Sequence, residues 1–179
     1  MDGADLSGMT MGQARAQIVR LLREEAQNCS LTVEGEGRTY TFRAPELYFS
    51  ADVEGALARA RAQGGAQSLE KRLSLTDFEG TLHRICDDFY KKSQNARLVF
   101  RPQEASPFLF EREQAGSYAD GKRLKEDILS ALASGGGIVR VYTRECTPRI
   151  GERQLRESAL LLSSFSTRYA DGNNRSRNV

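Results

Sequence analysis

The sequence predicts an α+β fold made of two tandem α-β-β-α-β repeats, with antiparallel hairpins packed against helices. The first observation is a self-match. Gln27-Asn28 returns as Gln94-Asn95, 67 positions later, and Leu31/Val33 return as Leu98/Phe100. The same shift carries Met11, Ile18 and Leu22 onto Phe78, Ile85 and Phe89. The second is that the match continues downstream with a shift of 68. Tyr40/Phe42 then fall on Phe108/Phe110, and Ala51-Asp52 on Ala119-Asp120. One residue inserted in the turn, 34–39 against 101–107, accounts for the change. A fixed-period self-match sets the architecture before any local reading. The third is that each copy passes from helical spacing to alternation and back to helical spacing.

In the first copy, residues 1–75, Thr10 is the expected N-cap of a helix, with Gln13 at the capping-box spacing. Met11, Ala14, Ile18, Leu21 and Leu22 recur at helical intervals, and Arg15, Arg20 and Arg23 fall outside that stripe. Leu31-Val33 and Tyr40-Phe42 alternate with polar residues around Glu34-Gly35-Glu36-Gly37, a hairpin pattern. Ala44-Pro45-Glu46-Leu47 reads as a loop, because proline pushes its predecessor toward extended geometry. Asp52 is placed to cap a second helix with a small apolar face, Ala56, Leu57 and Ala60, which Gly64-Gly65 stops. Leu69, Leu73 and Leu75 read as a strand joining the copies.

The second copy, residues 76–148, repeats the programme with larger side chains. Thr76 and Glu79 stand at the capping-box spacing. Phe78, Leu82, Ile85 and Phe89 form the expected buried stripe, with Tyr90 beside it. Leu98/Phe100 and Phe108/Phe110 form the hairpin, with Pro102 and Pro107 in its turn. Asp120 caps a helix carrying Leu124, Ile128, Ala131 and Leu132, ended by Gly135-Gly136-Gly137. Ile138–Tyr142 is the last strand expected. Residues 149–179 follow as a linker with a modest amphipathic stretch over 150–165, and 170–179 are nearly devoid of apolar residues.

Composition narrows the function classes. Apolar residues make up 39% and charged residues 28%, a globular balance. The 26 basic and 24 acidic residues are interleaved and leave a net charge of +2, so nucleic acid is not an expected partner. No stretch is long and apolar enough to span a membrane, and no signal-like start is present. Each copy alone would be marginal, since a domain of ~60 residues buries only ~60% of its unfolded surface. The copies are therefore expected to share a core.

The residues that carry chemistry are sparse. Cys29, Cys86 and Cys146 have no C-x-x-C spacing and are odd in number, which argues against a disulfide framework or a zinc site. They read as small hydrophobes, with Cys86 mostly buried on the helix of Phe78, Ile85 and Phe89. His83 is the single histidine, so a multi-histidine metal site is excluded. No G-x-S-x-G, H-E-x-x-H or phosphate-loop motif occurs, and no cofactor is expected. Glu24-Glu25 and Asp87-Asp88 lie on helices, where neighbours point about 100° apart and cannot converge on one bond. They read as solvated faces. Tyr48 and Tyr118 occupy equivalent places between hairpin and helix. Each either closes the core over a helix start or stands exposed as a platform on which a sugar ring can stack. They are the candidate binding residues.

Two further features carry a resemblance. One is Gly8-Met9-Thr10 followed by Ala14-Arg15 at the head of the α-β-β-α unit. The other is the tail Ser164-Phe165-Ser166-Thr167-Arg168-Tyr169, then Asn174-Arg175-Ser176-Arg177-Asn178. Together they resemble the VanW-like (YoaR-like) envelope proteins of Gram-positive bacteria, in which a peptidoglycan-binding α+β domain, often duplicated, precedes a VanW-like domain. The tail is similar to the opening of that domain, F-x-T-x-Y and then N-R-x-x-N. The histidine-containing S-H-G-C motif of L,D-transpeptidases, which a related domain can precede, is missing around Cys86 and Cys146. The resemblance implies a non-catalytic module that binds peptidoglycan outside the cytoplasm. It also implies that the full-length protein is anchored by a transmembrane segment upstream of residue 1. A spacer or protein-interaction module that positions the C-terminal domain, with no glycan binding, is the other expectation.

Overall fold

The computed structural model describes residues 5–64, 68–104 and 106–159. It is a mixed α+β structure that forms two compact units. Of these residues, one unit comprises those from 5 to 92 together with 116–146, and the other those from 93 to 115 together with 147–159. These units do not follow the boundaries of the sequence copies.

In the first unit, α1 (Met11–Gln27) opens as expected. The Thr10 side chain accepts from the Gln13 N–H, and the Gln13 side chain accepts from the Thr10 N–H at 2.9 Å. Ala14, Ile18, Leu22 and Ala26 are its buried stripe, while Met11 is exposed. Strands β1 (Leu31–Gly35) and β2 (Arg38–Phe42) form the antiparallel hairpin, with Leu31 opposite Phe42 and Val33 opposite Tyr40. One element was not anticipated here. Residues 47–51, expected to begin in a loop, form β3 (Leu47–Ala51), which pairs antiparallel with β4 (Lys71–Leu75). The signal was present in the alternation of Leu47, Phe49 and Ala51 with Tyr48 and Ser50. Between these strands runs α2 (Val53–Gln63), capped by the Asp52 carboxylate on the Gly55 N–H and stopped at Gly64.

Helix α3 (Phe78–Asp88) corrects the second expected capping box. Its N-cap is Asp77, which accepts from the Gly80 N–H. Thr76 is tied up by its own N–H, which donates to the Glu46 carbonyl and extends the β3–β4 ladder. Leu82, Ile85 and Phe89 are buried as expected, but Phe78 is only half-buried and Tyr90 is exposed. The chain re-enters this unit at β7 (Gly116–Ala119), passes through α4 (Gly121–Ala133) and β8 (Gly137–Arg140), and reaches β9 (Thr143–Cys146), which pairs antiparallel with β7. Neither β7 nor β9 was legible in the sequence: at four residues each, with Gly, Ser, Arg and Glu among them, they carry little β propensity.

The join between the copies is a parallel pair. β8 lies beside β1, with Leu31 opposite Gly137 and Val33 opposite Val139, giving the sheet order β2-β1-β8. The principal core draws on both copies: Leu31, Val33, Phe42, Leu73, Leu75, Leu82, Ile85, Phe89, Leu124, Ile128 and Val139 belong to one buried cluster. A smaller cluster holds Ala14, Ile18 and Leu22 of α1 against Ala56 and Leu57 of α2, with Leu69.

The second unit contains β5 (Arg97–Phe100), β6 (Phe108–Glu111) and α5 (Glu152–Ser158). The hairpin forms in the expected register, Leu98 opposite Phe110 and Phe100 opposite Phe108. Its burial does not repeat that of the first copy. Val33 is 0% exposed, whereas its counterpart Phe100 is 60% exposed, and Leu98 and Phe108 are exposed as well. So the order α-β-β-β-α-β recurs along the chain, but its packing does not. The reason is pairing: β1 is flanked on both sides, by β2 and β8, while β5 and β6 form an isolated two-stranded sheet. The Arg156 guanidinium covers Phe110 at 4.2 Å from the ring centroid. The amphipathic stretch expected over 150–165 is helical over 152–158, and Leu160-Leu161-Leu162 lie outside the described residues.

No disulfide joins Cys29, Cys86 and Cys146 among the described residues, and all three are half-buried, so Cys86 is less enclosed than expected. Burial is the main cause that raises the thiol pKa of both Cys29 and Cys86 above the ordinary 9.0, with Glu25 and Asp87 adding to it respectively. Both remain protonated at neutral pH, and the thiolate is the nucleophile. Native-state alkylation by iodoacetamide should therefore leave these two nearly untouched at pH 7 and accelerate only above pH 9. Mass spectrometry after unreduced denaturation should find three alkylated cysteines. A species with two fewer labels would contradict this.

Candidate functional site

Strand β3 alternates strictly. Leu47, Phe49 and Ala51 turn inward, and Tyr48 and Ser50 are exposed. Across the ribbon Tyr48 opposes Ser74 and Ser50 opposes Arg72. A strand's side-chain period of two makes this placement unavoidable once Leu47 is buried. Tyr48 is 46% exposed, so it does not close the core. It stands on the rim of a groove of about 780 Å³ between β3 and α1, whose helix side is formed by Arg15, Val19, Leu22 and Arg23. Those four positions lie at i, i+4, i+7 and i+8, one stripe of the helix. A second hollow of about 940 Å³ shares Tyr48 and Phe49 and is closed by Lys71 and Leu129.

Tyr118 sits on β7 opposite Arg144 of β9 and is 43% exposed. It precedes the cap Asp120 by two residues, whereas Tyr48 precedes the cap Asp52 by four. The two tyrosines thus lie on corresponding strands, β3 and β7, offset by two residues, one strand period, which keeps them on corresponding faces. The sequence reading placed them in equivalent positions; the structure makes both exposed and neither a core lid. The surroundings of Tyr118 are strongly tied. Arg144 Nε donates to Asp120 Oδ2 at 2.9 Å, and the Asp120 carboxylate also accepts from the Arg123 N–H at 3.3 Å. The Arg144 hydrogen bond, followed by that backbone donor, holds the Asp120 carboxyl below the usual aspartate range.

Several charged residues turn out to tether elements. Of the acidic pairs, one member of each is committed across the fold. Glu25 accepts from Lys71 Nζ at 2.6 Å, and Lys71 also lies 5.4 Å from the Phe49 ring centroid. Asp88 accepts from the Tyr40 hydroxyl at 2.7 Å and lies 3.7 Å from Arg38. Glu24 stays on its own helix with Arg20. The solvated-face reading holds, with the Glu25 and Asp88 side chains 44% and 41% exposed, and from that face these two also link α1 to β4 and α3 to β2. His83 is exposed, with Nδ1 2.9 Å from the Glu79 carbonyl. Among the described residues no three His, Cys, Asp or Glu side chains gather in a metal-holding group. No described helix is long and apolar enough to cross a membrane.

Of the groove residues on α1, the sequence sets Arg15 and Arg23 outside the apolar stripe and Leu22 within it. In the groove Arg15 Nε pairs with Glu54 at 2.6 Å and Asp52 lies 3.8 Å from Arg59. Arg23 has no ion-pair partner among the described residues, since Glu54 is held by Arg15 and Asp52 by Arg59 from outside the groove. Nothing in the helical spacing marks Arg23 apart from Arg15 or Arg20; only the pairing of Arg15 with Glu54 and of Arg20 with Glu24 does. Comparison of the chain with protein-family models, with curated proteins and with solved structures returns no match. The tail that carries the VanW-like resemblance, 164–178, lies outside the described residues.

Proposed function

We propose that this chain is a non-catalytic module that binds peptidoglycan outside the cytoplasm and holds a following VanW-like domain near the wall. The observation that carries the reading is the pair of exposed tyrosines, Tyr48 and Tyr118, on matching faces of two ribbons, with Tyr48 at the rim of a groove. Exposed aromatic faces are the side-chain surface on which a sugar ring stacks. The resemblance of the Gly8-Met9-Thr10 head and of the 164–178 tail supplies the cell-wall context. The protein is placed at the cell surface and anchored by an upstream transmembrane segment. Neither nucleic acid nor cofactor enters the proposal. The interleaved charges support that, since fifteen ion pairs tie up much of the surface charge of the described residues.

Such a shallow site makes few contacts, and a Kd near ~1 mM corresponds to only about −4 kcal/mol. The module therefore acts by raising the local concentration of whatever is tethered to it. Tyr48→Ala and Tyr118→Ala should each reduce retention on purified Gram-positive sacculi by roughly threefold to tenfold, the size of one aromatic contact. Both variants should melt like the parent, because surface substitutions usually change stability by less than ~0.5 kcal/mol. Parent retention no greater than that of an unrelated globular protein ends the wall-binding reading.

A second reading, a spacer or protein-interaction module, has its own support. Leu98, Phe100 and Phe108 are exposed together on one face of the β5–β6 hairpin. Contiguous exposed apolar surface is characteristic of protein contacts. Loss of Tyr48 and Tyr118 would leave that reading's activity unchanged, which separates the two.

A further inference from the structure

We propose that the outer edge of β3 and the α1 groove beside it bind a short extended peptide bearing a carboxylate, the peptide stem of the wall polymer. This rests on the wall-binding reading and names which part of the polymer the Tyr48 site takes.

The argument begins with the ladder. The Thr76 N–H donates to the Glu46 carbonyl, which makes Glu46 and Thr76 a hydrogen-bonded pair of the antiparallel ribbon. Hydrogen-bonded and non-hydrogen-bonded pairs alternate. Tyr48/Ser74 and Ser50/Arg72 are then the next bonded pairs. Leu47, Phe49 and Ala51 aim their N–H and C=O groups the other way. Leu47 N–H is used, donating to the Arg43 carbonyl at 3.0 Å. Phe49 and Ala51 have no strand on that side, since the sheet contains only β3 and β4 among the described residues. Both residues line the groove.

An unpaired strand edge is a template for an incoming strand, and a strand edge beside a helix is one recurrent way to hold a peptide. Three observations fix the occupant. First, the edge is short. Only two consecutive outward residues, Phe49 and Ala51, are unspent, enough to pair with about three residues of a partner at ~3.3 Å each. Second, the groove of about 780 Å³ lies within the ~300–1,000 Å³ range of small-ligand sites rather than that of a protein interface. Third, of the groove's charged groups Glu54 pairs with Arg15 and Asp52 with Arg59, which lies outside the lining, while Arg23 has no ion-pair partner among the described residues. A few extended residues ending in a carboxylate match the edge, the volume and Arg23 together. The Val19 side chain receives the apolar side of the peptide, and the Tyr48 ring covers its outer side. Main-chain pairing of this kind is insensitive to side-chain identity, which suits a peptide with few distinctive side chains.

The test titrates ¹⁵N-labelled protein with a synthetic wall stem pentapeptide, its C-terminal amide, and a chitooligosaccharide that lacks peptide. The free-acid pentapeptide should shift the Phe49 and Ala51 amides most. Arg23→Glu should weaken it about fivefold, the size of one exposed charge contact, and should leave the amide's affinity nearly unchanged. Ala51→Pro removes the outward N–H without touching the β4 ladder and should abolish the shifts at Phe49. Should that variant fail to fold, Arg23→Glu still decides the charge half and the amide shifts the edge half. If sacculi retain the protein but the pentapeptide moves nothing on β3, the inference is overturned while wall binding through glycan stands. If neither binds, both readings fall. Shifts on β3 that depend on protein concentration alone mean a second copy occupies the edge, which overturns the peptide assignment.

Discussion

Phe89→Ala is expected to lower the unfolding free energy by about 3–5 kcal/mol, the usual cost of deleting a buried aromatic. Phe89 is 1% exposed at the C-terminus of α3 and belongs to the principal core. Its ring lies 6.5 Å from that of Tyr40, with the Arg38 guanidinium 5.9 Å above it. It is also packed against the backbone of β1: a Cβ built on Gly35 would stand 3.2 Å from its ring. Neither β1 nor α3 can collapse into the space, because β1 is held on both sides by β2 and β8. A cavity of this kind is paid in full. Urea denaturation of Phe89→Ala beside Phe100→Ala provides the contrast. Phe100 is 60% exposed and should cost less than about 1 kcal/mol. Equal losses would mean that the two halves of the self-match pack alike, against the burial described above.

Gly136→Ala should be about as damaging, at roughly 3 kcal/mol or more, from a strained backbone and a clash together. Helix α4 ends in a Schellman arrangement. The Gly136 N–H donates to the Ala131 carbonyl at 2.8 Å and the Gly135 N–H to that of Leu132 at 3.2 Å. Gly136 has φ 112°, and an added Cβ would stand 2.3 Å from the Ser30 carbonyl oxygen. That oxygen is backbone and cannot swing aside, since it accepts the Gly137 N–H at 2.8 Å and so starts the β1–β8 pairing. Gly135→Ala is the control: φ is 88° there, but nothing lies within 4 Å of an added Cβ. It should cost only the conformational part, about 1–2 kcal/mol. Thermal melts that place the two variants together would show that the close approach to Ser30 is not what makes Gly136 necessary.

Local rules carried the helices well. Thr10, Asp52 and Asp120 cap where an Asx or Thr side chain precedes an apolar stripe, because a cap needs only its own three following residues. Thr76 is the exception, and its failure is not local: its N–H had already been spent on Glu46, a residue 30 positions earlier. The short strands β3, β7 and β9 were missed for a related reason. The four residues of β7 and of β9 have modest β propensity and become strands only when paired, the alternation of β3 was hidden behind the Pro45 loop, and every partner lies 20 or more positions away in the chain. For the site, Tyr48 and Tyr118 were legible as residues. The groove was not, since it depends on which stripe of α1 lies beside β3, and Arg23 stands out only once the partners of Arg15, Asp52 and Glu54 are known.

What the sequence by itself determined is the order of elements: helix, hairpin and helix, twice over, with the caps and the glycine stops that bound them. Periodicity and capping are properties of a few consecutive residues, so they are written in the chain directly. Only the tertiary structure decided that the copies are unequal. β8 of the second half pairs with β1 of the first and buries Val33, while the matching Phe100 is left at the surface. The self-match could not show this, because a hydrophobic residue records that burial is favourable, not which strand will supply the cover.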